Sequence, residues 1–402
     1  MTTIAGCSQP DPAVGYGISA RVSGNPRSNA FGSGGSASSH AGGSAATAGV
    51  GAVGGDTGTG GADANAPMVG LQNQAWNWVP FEGAHCRNGS STGIGVNPNQ
   101  ASDKLIILLE GGGACFDANA CHINNSAYGE TQFDKFAVDV QFGGGAGVFD
   151  RNDAANPVKD WNFVYIPYCT GDVHAGNNPQ GAIDTLGPQQ FVGYANMSLY
   201  LQRIVSTFPG VTQVLLTGVS AGGFGALANY VQVARKFDTI PVLLLDDSGP
   251  PMDAPYVPAC LANLYSQTWG LDKTVQVDCG SDCPDTSHLL IDFLKHVSRG
   301  YPNIPFGLVD SIGDWVISAF FGYGGSDCTS FALLSEATFA AGLQDIKAQM
   351  AGQSNFGAFV FSGNDHTTLL DASKFDSRVA ADTKLTDYIA RLLAGQVSNV
   401  GP

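Results

Sequence analysis

The chain has 402 residues and a formal net charge of −16, from 18 basic and 34 acidic residues, with no cluster of Lys and Arg. That balance argues against nucleic acid or an anionic membrane surface as a partner. Residues 1–66 are mostly Gly, Ala, Ser and Thr and cannot bury enough apolar surface to fold, so we expect a flexible tether there. Residues 67–402 are rich in large apolar side chains and predict one large domain.

Cys7 closes the segment Ile4-Ala5-Gly6-Cys7, which has the pattern of a bacterial lipobox, the site at which a cysteine is lipidated. The positive and apolar regions that precede such a motif are missing here. Two interpretations remain, a start assigned too late or a chance match in a Gly/Ala-rich segment. A lipid on Cys7 is the one membrane contact that we expect, since no other stretch is long and apolar enough to span a bilayer.

Several short apolar runs follow one another along the domain and predict buried strands at 103–110, 161–167, 214–216, 241–247, 304–310 and 356–361. Residues 191–208 predict an amphipathic helix leading into the third of these strands. The region of about 250–300 is less regular and suggests a cap over the site. Continuous apolar strands with helices between them predict an α/β fold with a mostly parallel central sheet covered on both faces.

Eight cysteines lie in the predicted domain, enough for four disulfides, which implies an oxidising compartment. They are Cys86, Cys115, Cys121, Cys169, Cys260, Cys279, Cys283 and Cys328. The pairing cannot be deduced from the sequence. A zinc site using Cys279, Cys283 and His288 is the alternative, but no second Cys-x-x-Cys pair supports it.

The segment Gly218-Val219-Ser220-Ala221-Gly222 joins an apolar strand to an alanine-rich helical pattern. A serine between glycines at a sharp strand-to-helix turn is the nucleophile elbow of an α/β-hydrolase. The alternative is a Gly-rich turn with an incidental serine. We predict that Ser220 is the nucleophile of a serine hydrolase.

A serine nucleophile needs a histidine base and an acid that orients it, and in this fold they follow in the order Ser, Asp or Glu, His. His366 comes directly after the last predicted strand and is the predicted base. Asp314, in a turn past the end of the preceding strand, is the preferred acid, with Asp310 and Asp247 as alternatives. Each of these carboxylates could instead cap a helix or order a loop.

The negative oxygen of the transition state needs backbone N–H donors. Ala221, after the nucleophile, and the loop Gly111-Gly112-Gly113-Ala114 meet that need. A phosphate-binding loop is the alternative for these glycines, but no Gly-Lys-Ser/Thr follows them. His174, after an earlier strand, is a candidate for contacting the substrate or ordering a loop.

Five segments in one order, LLEGGGACFD, YIPYCTGD, GVSAGGFGAL, LLLDDSGPP and NDHTT, resemble the pectin acetylesterase and Notum family of α/β-hydrolases. The resemblance covers most of residues 76–370. It implies a triad of Ser220, an aspartate near 314 and His366, an oxyanion hole of Gly112, Gly113 and Ala221, and a disulfide at Cys115. Family members often carry an aromatic residue where this chain has Gly113 and Ala114, so we expect an open site there.

These inferences together predict a secreted, cell-surface or periplasmic bacterial carboxylesterase that forms an acyl-enzyme on Ser220. We expect a monomer that needs no cofactor and no metal and acts on a small-molecule or polysaccharide ester, the acyl group being undetermined. A thioesterase or amidase would use the same groups. A non-catalytic binding module on a hydrolase scaffold is the alternative from another class.

Overall fold

The computed structural model describes residues 65–142, 146–322, 328 and 330–402. The predicted tether falls almost entirely outside these residues, as does Cys7. Twelve strands are formed by the described residues: β1 Asn77–His85, β2 Ser91–Asn97, β3 Lys104–Leu109, β4 Asn162–Ile166, β5 Asn178–Ile183, β6 Gly187–Phe191, β7 Gln213–Val219, β8 Val242–Asp247, β9 Phe306–Ser311, β10 Phe356–Phe361, β11 Val379–Ala380 and β12 Thr383–Lys384.

The α-helices of the same residues are α1 Ala118–His122, α2 Glu130–Phe142, α3 Gly193–Thr207, α4 Ala221–Ala228, α5 Tyr230–Phe237, α6 Ala259–Trp269, α7 Val275–Cys279, α8 Leu289–Gly300, α9 Trp315–Phe321, α10 Glu336–Gln349, α11 Ala372–Ser377 and α12 Leu385–Leu393. Short 3₁₀ turns occur at Gly147–Phe149, Leu271–Lys273, Gly280–Asp282 and Thr286–His288. The helix predicted over 191–208 is α3.

Eight strands form the central sheet in the order β1-β2-β4-β3-β7-β8-β9-β10. The first two strands are antiparallel to their neighbours, and the six from β4 to β10 are mutually parallel. These six are the strands that the continuous apolar runs predict, so the predicted mostly parallel sheet is confirmed. Since parallel strands share a direction, their carboxyl ends meet at one edge of the sheet.

Both faces of the sheet are covered, as predicted. In β3, Leu105, Ile107 and Leu109 pack on one face, in the same apolar cluster as residues of α3 and α4. Ile106 and Leu108 pack on the other face, with residues of α11 and α12. Because successive side chains of a strand point to opposite faces, a strand buried on both sides has no polar position in its interior, which explains the run LIILL after Lys104.

All eight cysteines of the domain form disulfides, which confirms the predicted disulfide-stabilised fold. The pairs are Cys86–Cys169, Cys115–Cys121, Cys260–Cys328 and Cys279–Cys283. Two of the three residues of the alternative zinc site, Cys279 and Cys283, are thus bonded to each other. The third, His288, has its Nδ1 2.6 Å from Asp253 Oδ2.

The region of about 250–300, expected as an irregular cap, contains α6, α7, α8 and three of the 3₁₀ turns. Pro258 is the N-cap of α6, and Gly270, with φ of +72°, is its C-cap. Frequent Gly and Pro break the helical pattern into short pieces, so the sequence pattern looks irregular. Within the described residues, none of the helices has the length and hydropathy that a membrane span requires.

Candidate active site

Ser220 lies at the turn between β7 and α4, at the carboxyl edge of the sheet. Its backbone has φ +58° and ψ −122°, a conformation that residues with a side chain rarely adopt. Its N–H donates to the carbonyl oxygen of Asp247 at 2.7 Å. The strained turn presents the hydroxyl at the wall of an adjacent cavity.

The two glycines that flank Ser220 are required by close backbone contacts. A Cβ at Gly218 would lie 2.0 Å from the carbonyl oxygen of Gly222. A Cβ at Gly222 would lie 2.0 Å from the carbonyl oxygen of Leu109, at the end of β3. Both glycines of the motif therefore have a steric reason, independent of any chemistry.

His366 and Asp314 form a direct pair at the same edge, with 2.6 Å between Nδ1 and Oδ2. Asp314 is fully buried, and its Oδ1 accepts from the N–H groups of Val316 and Ile317 at 2.9 Å each. The carboxylate thus caps α9 with one oxygen and binds the imidazole with the other. This assigns the proton to Nδ1 and leaves Nε2 as the basic nitrogen.

The loop that carries His366 is joined to the nucleophile turn through the end of β8. Ser220 N–H donates to Asp247, and the N–H of Thr367 donates to Ser248 Oγ at 3.0 Å. The structure thus brings the loops of Ser220 and His366 to one corner of the sheet edge. Among the described residues, no hydrogen bond joins Ser220 Oγ to the imidazole, a contact that often tightens only when substrate binds.

The two alternative acids occupy other positions. Asp310 lies inside β9 and is fully buried; its Oδ1 accepts from the N–H of Ser311, and its Oδ2 has no partner. Burial, together with the nearby Asp314, raises the pKa of Asp310 well above its usual range. The Asp247 carboxylate accepts from the backbone of Thr368 and Leu369. The described side-chain contacts of His366 therefore favour Asp314 as the acid that orients the imidazole.

The glycine loop after β3 packs against the nucleophile. A Cβ at Gly111 would lie 2.9 Å from the Cβ of Ser220. Gly112 and Gly113 have φ of +147° and +80°, which favours glycine at both. Ala221 is the first residue of α4, where an N–H has no partner within the helix.

The space beside Gly113, which the sequence predicts to be open, is narrower than expected. Phe320 Cζ, from α9, would lie 3.2 Å from a Cβ built at Gly113, and Ile123 Cδ1 would lie 3.7 Å away. Side chains from two other segments therefore fill the space into which a larger residue would extend. Such contacts between distant segments leave no signal in the local sequence.

His174 is 3% exposed, and its Nε2 lies 2.8 Å from the carbonyl oxygen of Glu110, which begins the glycine loop. Burial lowers the pKa of His174 to about 4, so the ring is neutral at neutral pH and donates to that carbonyl. Val173 and Ala175, its neighbours, line the cavity. Of the two predicted roles, the geometry favours ordering the loop.

An apolar cavity of about 90 Å³ adjoins Ser220. Its walls come from the glycine loop, α4 and α9 on one side and from the region after β8 on the other. The latter region supplies Met252, Val257, Ala262, Tyr265, Trp269 and Leu271, among others. Sequence reasoning missed these residues; the apolar positions of α6 were their only local signal.

A family model described as pectinacetylesterase matches residues 64–311, more than half of the chain. The chain belongs to the pectinacetylesterase family. The matched residues include the nucleophile turn and the glycine loop described above, and the predicted resemblance is confirmed.

Curated relatives of this pectinacetylesterase-family chain are named palmitoleoyl-protein carboxylesterase Notum. The protein from Schmidtea mediterranea is 30% identical over 161 residues, 38% of this chain and 28% of the relative. The protein from Mus musculus is 30% identical over 177 residues, 41% of this chain and 33% of the relative. The matched segments thus span about a third of the relatives' length.

A solved structure of the Wnt deacylase Notum from Drosophila has the same fold. It superposes with a TM-score of 0.57 at 19% identity, covering 78% of this chain and 92% of the other. At that identity the comparison establishes the fold, and it agrees with the predicted α/β-hydrolase architecture.

Proposed function

We propose that this chain is a serine carboxylesterase that forms an acyl-enzyme on Ser220. The observation that carries the proposal is the His366–Asp314 pair, 2.6 Å apart, joined through one corner of the sheet to a serine on a strained turn. Membership of a family named for ester hydrolysis supports it. The names of the Notum relatives support it as well.

In the proposed mechanism, Ser220 Oγ attacks the ester carbonyl carbon while His366 Nε2 accepts the hydroxyl proton. Asp314, hydrogen-bonded to Nδ1, stabilises the imidazolium that forms. The N–H groups of Ala221 and of Gly112 or Gly113 stabilise the negative carbonyl oxygen. The carbon–oxygen ester bond breaks, the alcohol leaves with the proton from His366, and water then hydrolyses the acyl-enzyme by the same steps.

The cavity beside Ser220 favours an acyl group longer than acetyl. Since a cavity needs roughly 10–15 Å³ to hold a single water-sized group, a volume of about 90 Å³ accommodates several such groups. Its lining is almost entirely apolar, so it would gain free energy by burying methylene groups and little by binding a sugar. The substrate class that we propose is a carboxylic ester with a medium or longer aliphatic acyl chain.

We place the protein in an oxidising, extracytoplasmic compartment. Four disulfides in a domain of this size support that location, because cytosolic thiols are kept reduced. Anchoring through Cys7, a bacterial source and a monomeric state remain predictions from the sequence.

The replacement Ser220→Ala tests the proposed function. We expect kcat/KM on p-nitrophenyl esters to fall by about 10⁴–10⁶-fold, because the attacking atom is removed. Labelling by a fluorophosphonate probe should disappear at the same time. Ser206→Ala, on α3 and remote from the site, is the matched control and should retain wild-type values.

Wild-type hydrolysis by Ser220→Ala protein would refute the proposal. Absence of both labelling and hydrolysis in the wild type, over acetyl to palmitoyl esters and thioesters, would favour the non-catalytic binding module instead. A preference for thioesters over oxygen esters of the same acyl chain would point to a thioesterase.

A further inference from the structure

Asp247, the last residue of β8, and Ser248, which follows it, lie between the nucleophile turn and the histidine loop. In the sheet, β8 and β9 separate β7 from β10. At about 4.8 Å between neighbouring strands, Ser220 and His366 thus follow strands about 14 Å apart. A shared support must set the distance between their loops. Ser248, with φ of +61°, turns the chain sharply at this point.

Asp247 and Ser248 hold the nucleophile side through their backbone. The carbonyl oxygen of Asp247 accepts the N–H of Ser220 at 2.7 Å. The N–H of Ser248 donates to the carbonyl oxygen of Val309 in β9 at 2.9 Å, which ties the corner to the next strand. The corner therefore belongs to the rigid sheet.

The side chains of the same two residues hold the histidine loop. Oδ2 of Asp247 accepts the N–H groups of Thr368 and Leu369, both at 2.7 Å, and the hydroxyl of Thr368 at 3.1 Å. Oγ of Ser248 accepts the N–H of Thr367 at 3.0 Å and donates to Oδ1 of Asp247 at 3.2 Å. The backbone N–H groups of the three residues after His366 thus all donate to Asp247 or Ser248.

We propose that Asp247, assisted by Ser248, is the positioning residue that sets His366 relative to Ser220. Its main chain holds the nucleophile turn, and its carboxylate holds the loop that carries the base. Asp247 touches no reacting atom and acts only through these loops. The inference rests on the proposed function, since it assigns a role within that same site.

The chemistry of the contacts favours a carboxylate. Asp247 is fully buried, and its Oδ2 accepts three hydrogen bonds, for which a carboxylate oxygen is a stronger acceptor than an amide oxygen. Burial raises the pKa of Asp247, while the amides of Thr368 and Leu369 and the nearby His366 oppose that rise. An asparagine has the same shape but turns an NH₂ group, or an oxygen with weaker acceptor strength, toward two buried N–H groups.

The test is Asp247→Asn, with Asp246→Asn as the matched control. Asp246 is the adjacent residue of β8, is equally buried, and contacts no part of the histidine loop among its described hydrogen bonds. We expect Asp247→Asn to lower kcat by about 10²-fold with KM nearly unchanged, because a small displacement of the base affects the chemical step. Asp246→Asn should stay within about threefold of wild type. Asp246 makes no described hydrogen bond to the histidine loop, and burial raises its pKa well above the usual range, so a neutral amide is a close replacement.

The same replacement in a His366→Ala background separates positioning from general damage. If Asp247 acts through His366, the double variant should hydrolyse esters at nearly the rate of His366→Ala alone. An independent further loss of about 10²-fold, or wild-type kcat for Asp247→Asn, would overturn the inference. If Asp247→Asn does not fold, Ser248→Ala replaces it, with about a tenfold loss of kcat expected and an unchanged kcat contradicting the role.

Failure of the proposed function gives a different result. In that case either the wild type itself would hydrolyse no ester, or Ser220→Ala and His366→Ala would both hydrolyse the ester at the wild-type rate. Failure of the positioning role alone would leave both of those variants inactive and Asp247→Asn active.

Discussion

At the scale of single residues, Asp314 combines two roles that the sequence presents as alternatives. One carboxylate oxygen caps α9 and the other binds His366. The cap is part of the proposed catalytic geometry, because two backbone N–H groups fix the direction of the oxygen that faces the imidazole.

Asp314→Asn should therefore reduce kcat by about 10³–10⁴-fold, because an amide cannot hold the imidazole in the same tautomer. Asp310→Asn is the matched comparison, because Asp310 is a buried neighbour that makes no described hydrogen bond to the imidazole ring. This variant should lower kcat far less. Steady-state kinetics on one p-nitrophenyl ester measures both. A larger loss of kcat at residue 310 would reverse the assignment of the acid.

At the scale of elements, the turn β7–α4 and the helix α6 contribute differently to the site. The turn depends on its own glycines, since a Cβ built at Gly218 or Gly222 would lie 2.0 Å from a backbone carbonyl oxygen. The helix α6 acts by packing, and its residues Ala262, Tyr265 and Trp269 form one wall of the cavity. Tyr265 and Trp269 stack with ring centroids 4.7 Å apart, which makes that wall rigid.

Ala262→Phe should shorten the cavity and shift the acyl preference. We expect kcat/KM for octanoyl and longer esters to fall at least about tenfold relative to acetyl esters, because roughly two or more methylenes lose their burial. Ala259→Phe, on the exposed side at the start of α6, should leave the chain-length profile as in the wild type. An identical profile for both variants would show that acyl chains bind elsewhere.

At the scale of the whole molecule, several ionisable groups are buried with shifted pKa values, and they affect stability in opposite directions. Burial raises the pKa of Glu110 to about 7, so the folded state binds its proton more tightly and loses stability as the pH rises to that value. Burial lowers the pKa of His174 to about 4, below its ordinary value of 6.5. The unfolded chain thus binds that proton more tightly, and stability is lost as the pH falls from about 6.5 to 4.

His174→Gln isolates the second effect. Between pH 7 and pH 4.5, neutral His174 should account for about 2 kcal/mol of lost unfolding free energy, from the pKa difference. In His174→Gln this part of the pH dependence of the unfolding free energy should be absent, whatever the stability of the variant at pH 7. Urea unfolding at both pH values measures it; an unchanged pH dependence would mean that the ring is not buried neutral.

Much of the fold was predictable because six strands are buried on both faces and read as continuous apolar runs. The antiparallel strands β1 and β2 were missed, since NWVPFEGAH and STGIGVN mix polar and small residues. The hairpin of β5 and β6 was missed for the same reason, as NPQGAI and GPQQF carry little apolar pattern.

The order of residues alone determined the α/β fold, the turn at Ser220 and the positions after strands at which His366 and Asp314 stand. Local steric constraints and the burial of strands determine such features within short segments of the sequence. Only the tertiary structure decided which carboxylate meets the imidazole, how Phe320 fills the space beside Gly113, and how Asp247 joins the loops of Ser220 and His366. Each of these contacts joins segments that are far apart in the chain; Asp247 and Thr368, for example, are 121 residues apart. Their geometry therefore depends on how strands and helices pack rather than on neighbouring residues.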